Sequence, residues 1–455
     1  MSLKFAVVIL AAGKGTRMKS PLPKVLQTIL DKPLLGYVFD ALKDVLNDNV
    51  WTVVGFNRDA VLKLFPKTER NFVIQEEQLG TGHALQIAWP HLKSLDVDYV
   101  CVVNGDTPLI QYSMIESLVA ECAACNAAMG FISTHLDNPT GYGRVIRDDT
   151  GNFHEIIEEK DLAARGVNPS ICEINAGVYA FSKQSCQNFL SRLDQNNAQK
   201  EFYITQMLAL ASSSGARVIA QVHKDSTALM GVNSPLELVN TEEMLRKKIV
   251  EDYLHAGVLL RNRDQIVIGP DVRIEPGVQI SGPVEIFGTS SLEHGAVIAS
   301  HCVIRDSRLS GCTVHNFSHL ERAVIEIGAC VGPYARLRPG SIIESGARVG
   351  NFVETKKTVL KKGAKAGHLS YLGDSEIGEN VNIGAGTITC NYDGINKHKT
   401  IIRQDAFIGS NTALVAPVEV GRNALIGAGS VVTKNVGDGE LCIGRARQVN
   451  LRRNK

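Results

Sequence analysis

A glycine-spaced basic loop and a histidine set among cations are the two places where this sequence could do chemistry. In Leu10–Lys24, LAAGKGTRMKSPLPK, Gly13 and Gly15 let the backbone turn sharply and bring its N–H groups against a ligand. Lys14, Arg17 and Lys24 place cations around the same loop. Backbone donors and point charges directly after a buried strand suit a triphosphate. The string is neither the P-loop pattern nor the full dinucleotide fingerprint. Further on, Val100–Asp106 (VCVVNGD) ends a buried run in Gly105-Asp106. An aspartate there is a hard oxygen ligand for a Mg²⁺ that bridges nucleotide phosphates, or else a helix cap. In the second half, Arg336–Gly340 (RLRPG), then Glu354 and Lys356, then Lys365–Tyr371 (KAGHLSY) crowd charges around His368. Histidine titrates near neutrality, which fits it as a general base.

These groups need elements to hold them. Lys4–Leu10 (KFAVVIL) reads as a strand buried on both faces. Trp51–Gly55, Asn71–Gln75, Tyr99–Asn104 and Ala128–Thr134 follow as strands alternating with helical stretches. That alternation predicts an open, mainly parallel, Rossmann-like α/β sheet, whose ligands gather at the C-terminal strand ends. Ser234-Pro235-Leu236-Glu237 is a capping box with proline at the first helical position. A helix continues to about Ala256, with Leu238, Leu245 and Ile249 on one stripe and Gly257 as its stop. Roughly 22 residues at the helical rise make an arm of roughly 33 Å. The expected division is residues 1–230, a connector at 231–257, and 258–455.

Beyond the connector, apolar residues recur every six positions. Ile268, Ile274, Ile280, Ile286, Leu292, Ile298 and Ile304 form one series, and Ile402, Ile408, Leu414, Val420, Ile426 and Val432 another. Two residues before members of the first series stand Val272, Val278, Val284, Ser290, Ala296 and Cys302. Neither a helix nor a simple strand has this period. A parallel β-helix does, with three hexads closing each triangular coil. The period slips near 310–326, where His315 and His319 read as surface or corner residues without ligand-spaced partners. It gives way again between Arg336 and Lys399, including the inserted loop Cys390–Lys399 (CNYDGINKHK).

The opening loop, through its LAAGxGTRM and Pro-Lys elements, resembles the sugar-1-phosphate nucleotidyltransferases. The hexad region resembles the acetyltransferase half of the bacterial bifunctional N-acetylglucosamine-1-phosphate uridyltransferases, and that resemblance covers nearly the whole chain. It implies a left-handed β-helix, a homotrimer with acetyl sites between neighbouring prisms, and UTP, acetyl-CoA and Mg²⁺ as co-substrates and cofactor. By the resemblance, Leu10, Ala11, Ala12 and Gly13 wrap the nucleotide, Arg17 and Lys24 handle its phosphates, and Asn233 joins Asp106 on the metal. Gln75, Gly80 and Thr81 read the uracil or thymine edge. Asn104, Gly105, Gly141, Glu158 and Asn175 belong to the nucleotide and sugar contacts, with Arg144 and Lys160 in the same motifs. Asn104 and Ala176 depart from the residues common in close relatives. In the second half, Arg338 and Lys356 suit the phosphate of glucosamine 1-phosphate, Tyr371 and Asn382 its sugar, and His368 is the base. Glu354 either orients the imidazole or holds the amine. Ala385, Asn391, Tyr392, Lys397, Ser410, Ala428 and Arg445 match the acetyl-CoA side.

Composition narrows the class. A net charge of +1 without blocks of like charge argues against nucleic acid and anionic membranes as partners. The apolar run Phe5–Ala12 is too short to span a bilayer and lacks signal-peptide flanks, and the ten cysteines are scattered, which reads as a reduced, cytoplasmic protein. Cys122 and Cys125 are a lone pair in a helical stretch and read as structural. Two other functions compete with a bifunctional enzyme. One is a nucleotidyltransferase whose β-helix is only an oligomerising or regulatory platform, and it leaves the His368 cluster without purpose. The other is a non-catalytic assembly subunit, which would have no use for Arg17, Lys24 and Asp106.

Overall fold

The structure, a computed structural model, describes residues 3–43, 49–66 and 70–451. The chain divides into two compact units, Met1–Thr241 and Glu242–Lys455. No helix among the described residues is long and apolar enough to cross a membrane.

The first unit is built on the strand Phe5–Ala11, which pairs in parallel with Tyr99–Asn104 on one side and Val50–Val54 on the other. Its side chains alternate between two cores: Phe5, Val7 and Ile9 pack on one face of the sheet, Ala6 and Val8 on the other. That double burial is why the strand reads as an unbroken apolar run. The sheet runs Val218–Val222, Met129–His135, Glu173–Ser182, Tyr99–Asn104, Phe5–Ala11, Val50–Val54, Asn71–Ile74. Only Glu173–Ser182 in that order is antiparallel to its neighbours, and its register shifts between Asn175 and Tyr179. Gly177 sits inside this bulge at φ +73, a conformation glycine adopts freely.

The helix Pro235–His255 opens on a modified cap. Ser234 Oγ accepts from the Glu237 N–H at 3.3 Å, but the Glu237 carboxylate takes the Asn233 N–H, at 2.7 Å, and so ties Asn233 to the helix start. The division into units falls inside this helix, so the second part is not a free arm. Val250 joins the β-helix core, with Ile249, Tyr253 and Leu254 packed against it. Arg246 is buried too, because its guanidinium pairs with Glu243 and donates to the carbonyls of Arg263 and Ile266, each at 3.1 Å. The buried stripe therefore runs through Arg246 and Val250, rotated from the Leu238, Leu245 and Ile249 stripe expected from hydrophobicity alone.

In the second unit every member of both hexad series is buried, as are the six residues two positions ahead of the first series. Ile268 pairs with Ile286, Ile274 with Leu292 and Ile280 with Ile298, eighteen residues apart each time. One face of the resulting triangular solenoid holds eleven strands. Buried hydroxyls at inward positions satisfy themselves locally, as Ser290 does on the Phe287 carbonyl at 2.7 Å and Ser341 on that of Arg338 at 2.7 Å. The coil tightens where the hexads slip: Ile298 pairs with Val314 and Ile304 with Leu320, sixteen residues on.

Two expectations need correcting. His319 is exposed on the outer face, but His315 is half-buried with a ring nitrogen 3.2 Å from the Cys330 sulfur, a partner invisible at a spacing of fifteen residues. The solenoid also does not lapse between Arg336 and Lys399. Arg336, Glu354, Tyr371 and Ile388 pair in sequence, and the inward Leu337, Thr355 and Leu372 are fully buried. Only the insertion before Thr400 leaves the coil, so that Ile377 pairs with Ile402, twenty-five residues on. What changes in this stretch is the outward side chains.

Because fold rests on the inward residue, Ile286→Ala should cost about 2–5 kcal/mol. Its exposed neighbour Glu285→Ala should change stability by under about 0.5 kcal/mol. Chemical unfolding of the two variants side by side checks this.

Candidate active sites

Strand ends of the first unit surround a cleft of about 620 Å³. Leu10, Ala11, Ala12 and Gly13 form one wall, continuing into Arg17 and Lys24. Gln75, Gly80, Thr81, Asn104, Gly141, Glu158 and Asn175 also line the cleft, with Gly141 close to the Arg17 guanidinium. Asp106 and Asn233 close the floor. Gly105 does not line the cleft. It binds the Leu10 carbonyl through its N–H at 2.9 Å, and a Cβ there would come within 3.1 Å of the same oxygen, so it holds two strands together.

The floor is a connected polar network. Lys24 Nζ pairs with Asp106 and donates to Asn233 Oδ1 at 3.0 Å, while an Arg17 nitrogen donates to the same oxygen at 2.8 Å. A carboxylate and an amide oxygen converging on one cation are the hard oxygen donors that Mg²⁺ takes alongside phosphate and water. Among the described residues no group of three His, Cys, Asp or Glu forms a metal cluster, so any ion here depends on its ligand for further oxygens. Tyr142 stands beside this floor with its phenol oxygen buried. Burial, with the nearby charges of Glu237 and Asp106, pushes its pKa up to about 12, so it holds its proton.

Elsewhere in the cleft Asn175 donates to Tyr179 at 2.7 Å and accepts from the Gly177 N–H at 3.1 Å, so the strand bulge fixes its amide. Glu158 accepts from Thr205 Oγ1 at 3.0 Å. Burial raises its pKa above the ordinary 4.5, reinforced by Asp161 and Glu201. Gly143, one turn from Gly141, faces the same carboxylate: a Cβ on it would lie 3.4 Å from Glu158 Oε2. Gln75 is buried, and its amide binds the Gly80 carbonyl and meets His83 Nδ1, each at 3.1 Å. His83 thus steadies Gln75. Thr81 Oγ1 accepts from the Ile204 N–H at 3.0 Å, and its proton and second lone pair stay available to a ligand.

Arg144 and Lys160 stand apart from the cleft. Arg144 is buried, bonded to the Tyr142 and Pro169 carbonyls and paired with Glu159 at 2.8 Å, so it braces the loop that carries Gly141. Lys160 is exposed and turns to Gln199.

On the solenoid, Arg338 pairs with Glu354 at 2.9 Å. The Lys397 ammonium lies beside Lys356 and lowers its pKa, with smaller help from desolvation and Arg338. Three cations thus crowd one patch of the outer face. Tyr371 and Asn391 meet over Gly373, where a Cβ would lie 2.5 Å from the tyrosine oxygen and 2.9 Å from the asparagine nitrogen. Asn391 also binds Asp374 at 2.5 Å. Asn382 stands on the neighbouring face between Lys365 and Phe407. His368 is exposed, its Nδ1 3.3 Å from Asn351 Oδ1. A carbonyl oxygen accepts, so an imidazole that donates Nδ1–H to it would present Nε2 outward. The side chain that meets the imidazole is Asn351, and Glu354 pairs with Arg338.

Below His368 the coil corners stack. Asn411 donates to the Ala385 carbonyl at 2.7 Å, Gly429 to that of Ser410 at 2.8 Å, and Arg445 to that of Ala428 at 2.5 Å. Ala385, Ser410 and Ala428 therefore form a column on one edge. Tyr392 is exposed on the inserted loop, its hydroxyl donating to the Gly394 carbonyl at 2.5 Å.

A nucleotide-binding sheet with a cation-and-carboxylate cleft, on one chain with a hexad solenoid, defines a two-unit transferase. Residues 7–169 match the MobA-like NTP transferase domain, and residues 399–434 the bacterial transferase hexapeptide (six repeats), which makes the solenoid a left-handed β-helix. The chain is 52% identical to the bifunctional protein GlmU of Oleidesulfovibrio alaskensis, over 98% of this chain and 97% of that protein. It is 50% identical to that of Nitratidesulfovibrio vulgaris over 100% and 99%, and 41% identical to that of Lawsonia intracellularis over 99% and 98%. The chain belongs to the GlmU family of bifunctional proteins.

Glu158 gives this cleft a pH signature. A carboxyl with a raised folded pKa contributes stability below its ordinary value of 4.5, lost as pH rises through the raised one. Glu158→Gln should therefore be more stable than wild type near neutrality, with the two converging below pH 4.5. Urea midpoints across that range measure it.

Proposed function

We propose that the chain makes UDP-N-acetylglucosamine in two reactions. The second unit transfers acetyl from acetyl-CoA to the amine of glucosamine 1-phosphate. Arg338 and Lys356 bind the sugar's phosphate through charge-assisted hydrogen bonds, aided by Lys397. Tyr371 and Asn382 hold the ring. His368 Nε2 removes the amine proton as nitrogen bonds to the thioester carbon and the C–S bond breaks, releasing coenzyme A thiolate. The column of Ala385, Ser410 and Ala428, with Asn391, Tyr392 and Arg445, holds the pantetheine and phosphates of acetyl-CoA.

The first unit then joins the product to UTP. Leu10–Gly13 enclose the nucleotide, Gln75 with Gly80 and Thr81 reads its base, and Gly141, Glu158 and Asn175 receive the acetamido sugar. Asn104 and Gly105 keep the strand end in place between them. Asp106 and Asn233 would hold Mg²⁺, whose charge would offset that of the phosphates. The sugar phosphate oxygen is already ionised and attacks the α-phosphorus without a protein base. Arg17 and Lys24 offset the charge that develops on departing pyrophosphate. The protein is cytoplasmic and trimerises through the solenoid.

The observation that carries this reading is the contact of Lys24, Arg17, Asp106 and Asn233 on the floor of a cleft that Glu158 and Asn175 also line. His368→Ala should lose about 10²–10⁴-fold in acetyl transfer and retain uridylyl transfer. Asp106→Ala should do the reverse. Assays of each half-reaction on both folded variants decide it; joint loss in either one overturns two independent sites.

A further inference from the structure

Building on the metal assignment just made, we propose that Lys24 is an internal counter-cation that occupies the divalent-metal position until nucleotide arrives. The metal then enters on the triphosphate and not ahead of it.

Lys24 Nζ contacts both oxygens assigned to the ion, Asp106 Oδ2 and Asn233 Oδ1. A lysine ammonium is a compact point charge with three donors and no acceptor, so it satisfies a cation site as an ion would. Asn233 Oδ1 already accepts from Arg17 as well as Lys24, which uses both of its lone pairs. A metal binding there must displace one of them. The contact is not a solvated surface pair: the Lys24 and Asp106 side chains are 18% and 10% exposed. Solvent and salt therefore screen it far less than an exposed ion pair.

The chain also fixes where Lys24 starts. Gly15 stands at φ +61, and a Cβ on it would lie 2.7 Å from the Lys24 Cβ, so the loop packs directly on the lysine stem. Glu237, which accepts the Asn233 N–H, brings a second negative charge to the floor. Asp106 and Glu237 thus balance Lys24 and Arg17. A bare divalent ion adds two uncompensated charges to this neutral set. A triphosphate brings negative charge of its own and gives both cations new acceptors, which frees Asp106 and Asn233. The apparent metal affinity without nucleotide is then the intrinsic affinity reduced by the fraction of time Lys24 is away. By reciprocity, a non-reacting UTP analogue must tighten metal binding.

Mn²⁺ is a direct probe, since electron paramagnetic resonance distinguishes the free ion from the bound one. On the full-length protein without nucleotide, Lys24→Met and Lys24→Gln should bind Mn²⁺ at least tenfold tighter than wild type. An α,β-methylene UTP analogue should tighten binding strongly in wild type and much less in either variant. Asp106→Asn should weaken binding in every background. Equal nucleotide-free affinities in wild type and both Lys24 variants, with Asp106→Asn still weakening them, would overturn the counter-cation role and leave the metal site standing. Indifference of all backgrounds to Asp106→Asn would overturn the metal site itself. If both lysine variants fail to fold, wild type still decides, because absence of any tightening by the analogue contradicts the proposal.

Discussion

One aliphatic side chain in every six must land on its copy in the next coil, and the second unit follows from that constraint. Ile268, Ile286 and Ile304 stack in register because each fills the narrow prism against its copy one coil on. Once the inward residues carry the fold, outward and corner residues are free to vary, yet register still aligns them in columns. That is how Ala385, Ser410 and Ala428, far apart in sequence, come to share one edge. The first unit obeys a related rule. Phe5–Ala11 is buried on both faces and offers only its last residues, Leu10 and Ala11, to the cleft, so the charged groups sit on the loop beyond its end.

The two sites handle charge in opposite ways. In the cleft, Lys24 and Arg17 are already engaged by Asp106 and Asn233, so a ligand must rearrange an existing network. On the solenoid, Lys356, Lys397 and Arg338 stand close together with Glu354 as the carboxylate on Arg338. That crowding is unfavourable until an anion arrives, and stability given up this way is typical of binding sites. A dianionic sugar phosphate, as proposed for this patch, would relieve it.

How much was readable without coordinates follows from the range of the interaction concerned. The hexads, the strand after Lys4 and the glycine-spaced loop are local patterns, and they located both units and the loop at one edge of the cleft; Gln75, Gly80, Thr81, Gly141, Glu158, Asn175 and Asn233 were expected from the family resemblance alone. Side-chain partnerships across coils were not readable. Asn351 meets His368 and His315 meets Cys330 only because coils of seventeen or so residues stack them, and a small register slip would separate either pair. Arg144 lies within a binding motif but is buried against the Pro169 carbonyl, a contact set by a loop path no spacing encodes. Hydrophobicity also misjudged the connector, since a buried arginine held by Glu243 and two carbonyls leaves no apolar trace.

If the two units act in turn on one sugar phosphate, the order of products is fixed. Phosphorus-31 NMR of the intact protein with glucosamine 1-phosphate, acetyl-CoA, UTP and Mg²⁺ reads that order directly. N-acetylglucosamine 1-phosphate should rise first, then decline as UDP-N-acetylglucosamine and pyrophosphate grow together. UDP-glucosamine forming while acetyl-CoA remains, or pyrophosphate released before any acetylated sugar, would contradict it.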